Sequence, residues 1–290
     1  MIAAAALLTA AALATRAQYL MGTVCEISAP ESAKIDAAFA EGARIEAMIS
    51  TWREDSELSR LNRSTALKAA AAPPHSKELF ELLETVDGWR DRTDGAFDPR
   101  LGALMALWDT RGRGRVPAPE AIEAAPRNLY EEGAFGKGYA LDRMLAVLGA
   151  PDAVLNFGGQ LAVRGAHRVA IADPEDRAKP ILELTIRDAS LSTSSGSEKT
   201  FLAGGRRFSH ILDPRTGQAL PPRGSVSVIA ADALTADVLS TALYVMGPEA
   251  GLRWAREHGV TALFIDRKTI TASARVEDLR VLDRNFKLKD

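Results

Sequence analysis

Four short stretches hold the residue types that can do chemistry. In "FSHILDPRTG", residues 208–217, His210 stands three residues ahead of Asp213-Pro214-Arg215-Thr216-Gly217, a turn signal with Pro at the second position and Gly closing it. A histidine held by that turn near the end of a strand, titrating near neutrality, can take a proton from a hydroxyl nucleophile; a half-exposed strand histidine without chemistry is the plainer reading. In "TADVLSTAL", residues 235–243, Asp237 and Thr241 are four apart on a predicted helix, so carboxylate and hydroxyl stack on one face. Two such oxygens suit a hard cation such as magnesium, which takes oxygen ligands at about 2.0–2.1 Å and shares its shell with phosphate and water; an exposed Asp with a back-bonded Thr has the same spacing. In "GAFGKGYALD", residues 133–142, three glycines surround Lys137 just ahead of a helix that carries Asp142. Free N–H groups, a helix N-terminus and one cation together resemble a phosphate cradle, though not a Walker A loop, since Gly138 and Tyr139 follow Lys137 in place of Ser or Thr. In "VLNFGGQL", Gly158 and Gly159 end an apolar strand, where adjacent glycines either admit a ligand close to the backbone or make a hairpin turn.

These groups need elements to hold them. From Ala33 to Trp52, apolar residues at Ile35, Phe39, Ile45, Met48, Ile49 and Trp52 keep helical spacing. A second helix is expected after "PPHS", with Ser76 as N-cap and Leu79, Leu82, Leu83, Val86 and Trp89 on one face. Leu101, Leu104, Met105 and Trp108 suggest a third. Beyond a polar loop at 110–120, "DAVLNF", "HRVAIAD", "ILELTI", "RRFSHIL" and "SVSVIAA" read as strands, with helices at about 137–149, 232–246 and 248–258. No regular βαβ rhythm appears, so the expected class is α+β with a largely antiparallel sheet packed by helices. "RGRGR", Arg111 to Arg115, reads as a solvated loop.

Composition narrows the function. With 36 Lys and Arg against 38 Asp and Glu, the net charge of −2 argues against a nucleic-acid surface. Cys25 is the single cysteine, which rules out a disulfide framework and a CxxC site. His75, His167, His210 and His258 lie far apart and form no zinc-binding pair. "MIAAAALLTAAALATRAQ" carries an apolar stretch from Ile2 to Ala14 ending in Ala-Leu-Ala. It resembles a secretory signal without the positive n-region and is too short to span a bilayer. Residues 1–18 are therefore expected to direct export, to the periplasm or the outer face of the inner membrane, with residues 19–290 as one domain; an Ala-rich first helix or a misassigned start, with a cytoplasmic protein, is the plainer reading, and no cysteine marks a lipid-anchor site.

Taken in order, "MGT" at Met21, "STWREDSELSRLN" at Ser50 to Asn62, "DGAFDP" at Asp94 to Pro99, "GKGYALD", "NFGG", "SLSTS" at Ser190, "SHILDPRTG" and "ADVLSTAL" resemble the ApbE family of FAD:protein FMN transferases, over about residues 19 to 265. The resemblance implies a magnesium-dependent flavin enzyme with FAD as substrate. Such an enzyme splits the FAD pyrophosphate, releases AMP and attaches FMN to a Thr or Ser hydroxyl of a target protein, often a subunit of a membrane redox complex. It implies that His210 is the base, that Asp237, Thr241, the carbonyl of Ala134 and Ser240 hold the metal, and that Met21, Trp52, Ala96, Phe97, Asp98, Glu131, Lys137 and Ile211 contact FAD. Trp52 stands where Tyr is usual and Glu131 where Asp is usual; Gln160 replaces an Asp, and "STSSGSEK" departs from the usual Thr-Ser-Gly-Asp-Tyr, which weakens any role carried over to Thr193 or Ser194. An FAD pyrophosphatase giving FMN and AMP uses the same residues. A non-catalytic flavin carrier has no need of His210 beside a metal site.

Overall fold

The structure is a computed structural model that describes residues 13–30, 33–69, 71–197 and 199–289. Its centre is a nine-stranded sheet, in spatial order β1 (Leu13–Leu20), β2 (Thr23–Pro30), β3 (Ala153–Phe157), β4 (Gln160–Arg164), β7 (Ser190–Ser195), β12 (Ser225–Ala230), β13 (Thr261–Asp266), β14 (Thr269–Ala272) and β16 (Lys287–Lys289). All neighbours run antiparallel except β14 and β16. The period-two side-chain rule assigns the faces. In β13, Ala262 and Phe264 enter the larger core, while Leu263 and Ile265 enter a second one on the opposite face. Both faces are covered, which is why "TALFI" reads as continuous rather than alternating apolar residues.

Six helices contribute to the larger core: α1 (Ile35–Ile49), α2 (Glu57–Ala66) through Leu58, α3 (Lys77–Arg92), α6 (Gly136–Leu148), α7 (Ala233–Met246) and α8 (Pro248–Glu257). The second core lies under the hairpin of β5 (Ala166–Asp173) and β6 (Asp176–Arg187), and β6 also pairs with β15 (Arg280–Val281). A third, small core gathers α4 (Gly102–Trp108), α5 (Pro119–Ala124) and two hairpins, β8 (Thr200–Ala203) with β9 (Arg206–Ser209) and β10 (Leu212–Asp213) with β11 (Gln218–Ala219). The fold is α+β, as expected.

Helix starts follow the capping rule. Ser76 Oγ accepts from the Leu79 N–H (3.2 Å), Asp232 from Thr235 (2.7 Å), and Ser56 from Ser59 (3.0 Å), the last opening α2 (Glu57–Ala66). Helix α2 lies in "SELSRLN" and has a single buried residue, Leu58, so no apolar stripe announces it. The stretch "RRFSHIL" is not one strand. Ser209 ends β9, His210 and Ile211 lie between the two strands, and β10 begins at Leu212, because the two halves pair with different partners. Residues 1–12 of the apolar N-terminal stretch lie outside the described residues, and residue 18 falls inside edge strand β1. Among the described residues, no helix is long and apolar enough to cross a membrane.

Candidate active site

The site begins where α6 crosses α7. A Cβ on Gly138 would lie 2.5 Å from the Ala233 carbonyl oxygen and 2.8 Å from Asp237 Cβ, so the third glycine of "GAFGKG" exists to let the helices touch. That approach brings the Gly138 N–H to Asp237 Oδ2 (2.9 Å). One turn on, Asp142 accepts from the Ala233 and Leu234 N–H groups (2.7 and 2.9 Å), adding to the cap that Asp232 supplies at the start of α7. Burial pushes the Asp142 carboxyl up to about 6, against the pull of those two N–H bonds. The Gln160 side chain donates to the Ala233 carbonyl (2.7 Å), and its own buried Oε1 has no hydrogen-bond partner among the described residues.

This packing aims the Asp237 carboxylate and the Thr241 hydroxyl into a cavity of about 300 Å³. Asp237 is 6% exposed. Of the residues singled out from sequence, Ala96, Phe97, Asp98, Glu131, Ala134, Lys137, His210, Ile211, Asp237 and Thr241 line this one cavity. Gly158 and Gly159 line it as well and also form the β3–β4 turn, both with positive φ, so the two readings of that pair coexist. Ser240 stays behind the wall: fully buried, its hydroxyl donates to the Asp237 carbonyl (3.0 Å) and meets the hydroxyls of Ser192 and Ser194 (3.2 and 2.8 Å). Met21 occupies the β1–β2 turn, its methyl carbon 3.1 Å from where a Gly136 Cβ would sit.

His210 is held at the gap between two hairpins. Its N–H donates to the Lys199 carbonyl (3.1 Å), and its ring Nδ1 lies 3.3 Å from the same oxygen. With the proton assigned to Nδ1, the Nε2 lone pair is the basic one. The turn behind it is braced by the Gly217 N–H donating to the Asp213 carbonyl (2.7 Å) and by the Trp108 indole N–H donating to the Gly217 carbonyl (2.8 Å). Burial also raises the Asp98 carboxyl.

The other end of the cavity adds to one sequence expectation. Residues 111–115 form an exposed loop, as expected, but Arg111 within it is engaged: its guanidinium lies 4.4 Å from the Trp52 ring centroid and reaches both Glu131 carboxylate oxygens and Thr51 Oγ1, each at 2.5 Å. Trp52, 66% exposed, is outside the cavity lining and stacks under this cation. Glu131 is pushed up to about 7 by its burial and then by neighbouring Glu132, with Arg111 pulling the other way. Glu132 is itself engaged by the N–H (3.0 Å) and hydroxyl (2.5 Å) of Thr51. Nothing local in "RGRGR" signals this role, because Arg111 meets partners about sixty and twenty residues away.

Among the described residues there is no group of three His, Cys, Asp or Glu side chains suited to a metal. Asp98, Glu131 and Asp173 also line the cavity; the donors that the sequence grouped are the Asp237 carboxylate, the Thr241 hydroxyl and Ala134, whose carbonyl it singled out. An all-oxygen, singly charged set of this kind fits a magnesium ion that completes its shell with phosphate and water, and does not fit a thiolate- or imidazole-held metal.

The ApbE family model matches residues 21–264. An FAD:protein FMN transferase of Treponema pallidum is 32% identical, covering 95% of this chain and 91% of its own. The crystal structure of the apo flavinyl transferase ApbE of Pseudomonas stutzeri superposes with a TM-score of 0.75 at 28% identity, covering 92% of this chain and 95% of its own. The ApbE protein of Thermotoga maritima does so with a TM-score of 0.77 at 26% identity, covering 88% and 94%.

Proposed function

The chain belongs to the ApbE family, and from that membership and the geometry of the cavity we propose that it moves FMN from FAD onto a Ser or Thr hydroxyl of a target protein, with magnesium required and AMP released. The observation that carries the reading is that His210, Lys137, Asp237 and Thr241, drawn from three distant segments, line one cavity. A proton acceptor, a cation and a hard-cation donor pair are the parts a phosphoryl transfer needs.

In the proposed reaction the acceptor hydroxyl gives its proton to His210 Nε2 as its oxygen bonds to the flavin-side phosphorus. The P–O bond to the adenosine-side phosphate breaks, and AMP leaves with the electron pair. Magnesium, held by Asp237, Thr241 and the Ala134 carbonyl, would neutralise charge on the pyrophosphate. Lys137 adds a cation beside the N-terminus of α6, where anions are favoured. Ala96, Phe97, Asp98, Glu131 and Ile211 form the walls that position FAD; Met21 supports Gly136, and Trp52 offers an aromatic face at the rim. A pure carrier would gain nothing from His210 so placed. On the strength of the apolar N-terminal stretch we place the reaction outside the inner membrane, with a redox-complex subunit as acceptor; N-terminal sequencing of the mature protein checks the export step.

The test is incubation of the full chain with FAD, magnesium and candidate acceptors, followed by mass spectrometry. Covalent FMN on one Ser or Thr is expected. Free FMN and AMP with an unmodified acceptor would make the protein an FAD pyrophosphatase, and intact FAD would leave it a carrier.

A further inference from the structure

Residues 110–116 and 199–209 carry six cations, Arg111, Arg113, Arg115, Lys199, Arg206 and Arg207, and no carboxylate, in a chain whose overall charge is −2. The two segments are one surface. A Cβ on Gly114 would lie 2.2 Å from the Phe201 ring, and Phe201 stacks on Phe208 (centroids 5.6 Å apart), which packs on Trp108 (5.4 Å). This wall meets residues that line the cavity at two places, Glu131 and His210. At one end Arg111 grips Glu131; at the other the Lys199 carbonyl holds His210.

Two of the six cations are spent internally, Arg111 on the carboxylates and Arg115 on the Leu107 carbonyl (2.6 Å). Arg113, Lys199, Arg206 and Arg207 are exposed and form no ion pair among the described residues; Arg206 only overlies Phe208, at 5.4 Å. None of these four lines the cavity, so they are not placed for the phosphates of a ligand inside it. Leu202, on the same hairpin, is 70% exposed. Unneutralised cations around an exposed apolar side chain, beside the base and outside the small-molecule cavity, match a macromolecular partner of opposite charge, since complementary charge steers encounter and sets register.

We propose that loop 111–115 and the β8–β9 hairpin form the docking surface for the acceptor protein, and that they take an acidic segment flanking its reactive hydroxyl. The inference rests on the transfer reading above, which requires an acceptor chain to reach His210. Docking on the hairpin sets the acceptor hydroxyl beside the histidine that the hairpin itself holds.

The test uses the full chain loaded with FAD and two fluorescein-labelled peptides, each with one Thr, flanked in one by a run of aspartates and in the other by a run of lysines. Anisotropy should show the acidic peptide binding at least about tenfold more tightly at low salt. The triple variant Arg113→Glu, Arg206→Glu, Arg207→Glu should lose or invert that preference, and the neutral Gln triple should fall between. Quenching of FAD fluorescence should be unchanged in both variants, which shows that they fold and that the cavity is intact. Equal affinity for the two peptides, or a preference that survives charge reversal, would overturn the proposal. So would charge-dependent binding to phosphatidylglycerol vesicles without any peptide preference, which would make the wall a lipid-facing surface. Mass spectrometry of the same mixtures separates the two claims: FMN transfer without peptide preference sinks the dock alone, whereas preference without transfer counts against the transfer reading and leaves the acidic dock standing.

Discussion

The two ends of the cavity are built differently. At the α6–α7 end, Asp237 is fixed by backbone: the Gly138 N–H, the close approach of α6 to α7, and a helix start capped by Asp232 and Asp142. At the mouth, Trp52, Arg111 and Glu131 are held by side chains gripping side chains across three separate segments. Backbone packing tolerates almost no substitution and leaves little freedom. Side-chain pairs near solvent contribute less and can open. The end that must hold a charge in a set place is rigid, and the end through which FAD and an acceptor must pass is held by contacts that can be broken.

Substitutions should widen or close that split. Asp237→Asn keeps the volume but removes the anionic donor, and transfer should fall about a thousandfold with magnesium dependence lost; activity within threefold of wild type would make the Asp237–Thr241 pair structural. Gly138→Ala comes next, because its methyl would sit 2.5 Å from a backbone oxygen that has little room to move. Overpacking of this kind costs about 1–3 kcal/mol, so thermal unfolding should shift down by several degrees and activity should drop with it. An unchanged Tm would show that the helix crossing is not tight.

At the mouth the effects should be smaller. Arg111→Ala should weaken FAD binding about tenfold, from the lost stacking and charge pairing, with Tm nearly unmoved; isothermal titration separates the two. Should it unfold the protein instead, the contrast between the ends fails. Asp142→Asn tests the rigid end by pH. The folded carboxyl titrates at about 6 against an ordinary 3.8, so its protonation stabilises the fold, fully below about 3.8 and progressively less as pH rises through 6. The wild-type Tm minus that of the Asn variant should therefore rise as pH falls from 7 to 5; a difference that falls would reverse the assigned shift. Smallest of all, Lys77→Ala removes an exposed pair with Glu81 (2.9 Å) and should leave Tm unchanged within error.

The same contrast explains what could be read from the chain. Asp237 and Thr241 share a helix, Lys137 is framed by its glycines, and the turn from Asp213 to Gly217 follows from its own residues. Local spacing was enough for these, and the α+β class followed from the apolar periodicities. The Arg111 contacts are not legible in the sequence, because they depend on Trp52 and Glu131, which no spacing rule brings to it. Helix α2 went unseen because it buries only Leu58. The break of "RRFSHIL" at His210 depends on which strands β9 and β10 pair with, a long-range choice that alternation in the sequence does not encode. Gln160, noted only as a departure, proves to be 3% exposed and bonded to the carbonyl at the α6–α7 crossing, and so belongs to the rigid end.

The central claim is that His210 acts as the base beside Asp237, Thr241 and Lys137. Single-turnover FMN transfer from FAD to an accepted protein, measured for wild type and His210→Ala at equal FAD occupancy, tests it most directly. The account predicts a loss of about 10²–10⁴ in rate for the variant with FAD affinity unchanged; a His210→Ala enzyme that transfers FMN at the wild-type rate would contradict it.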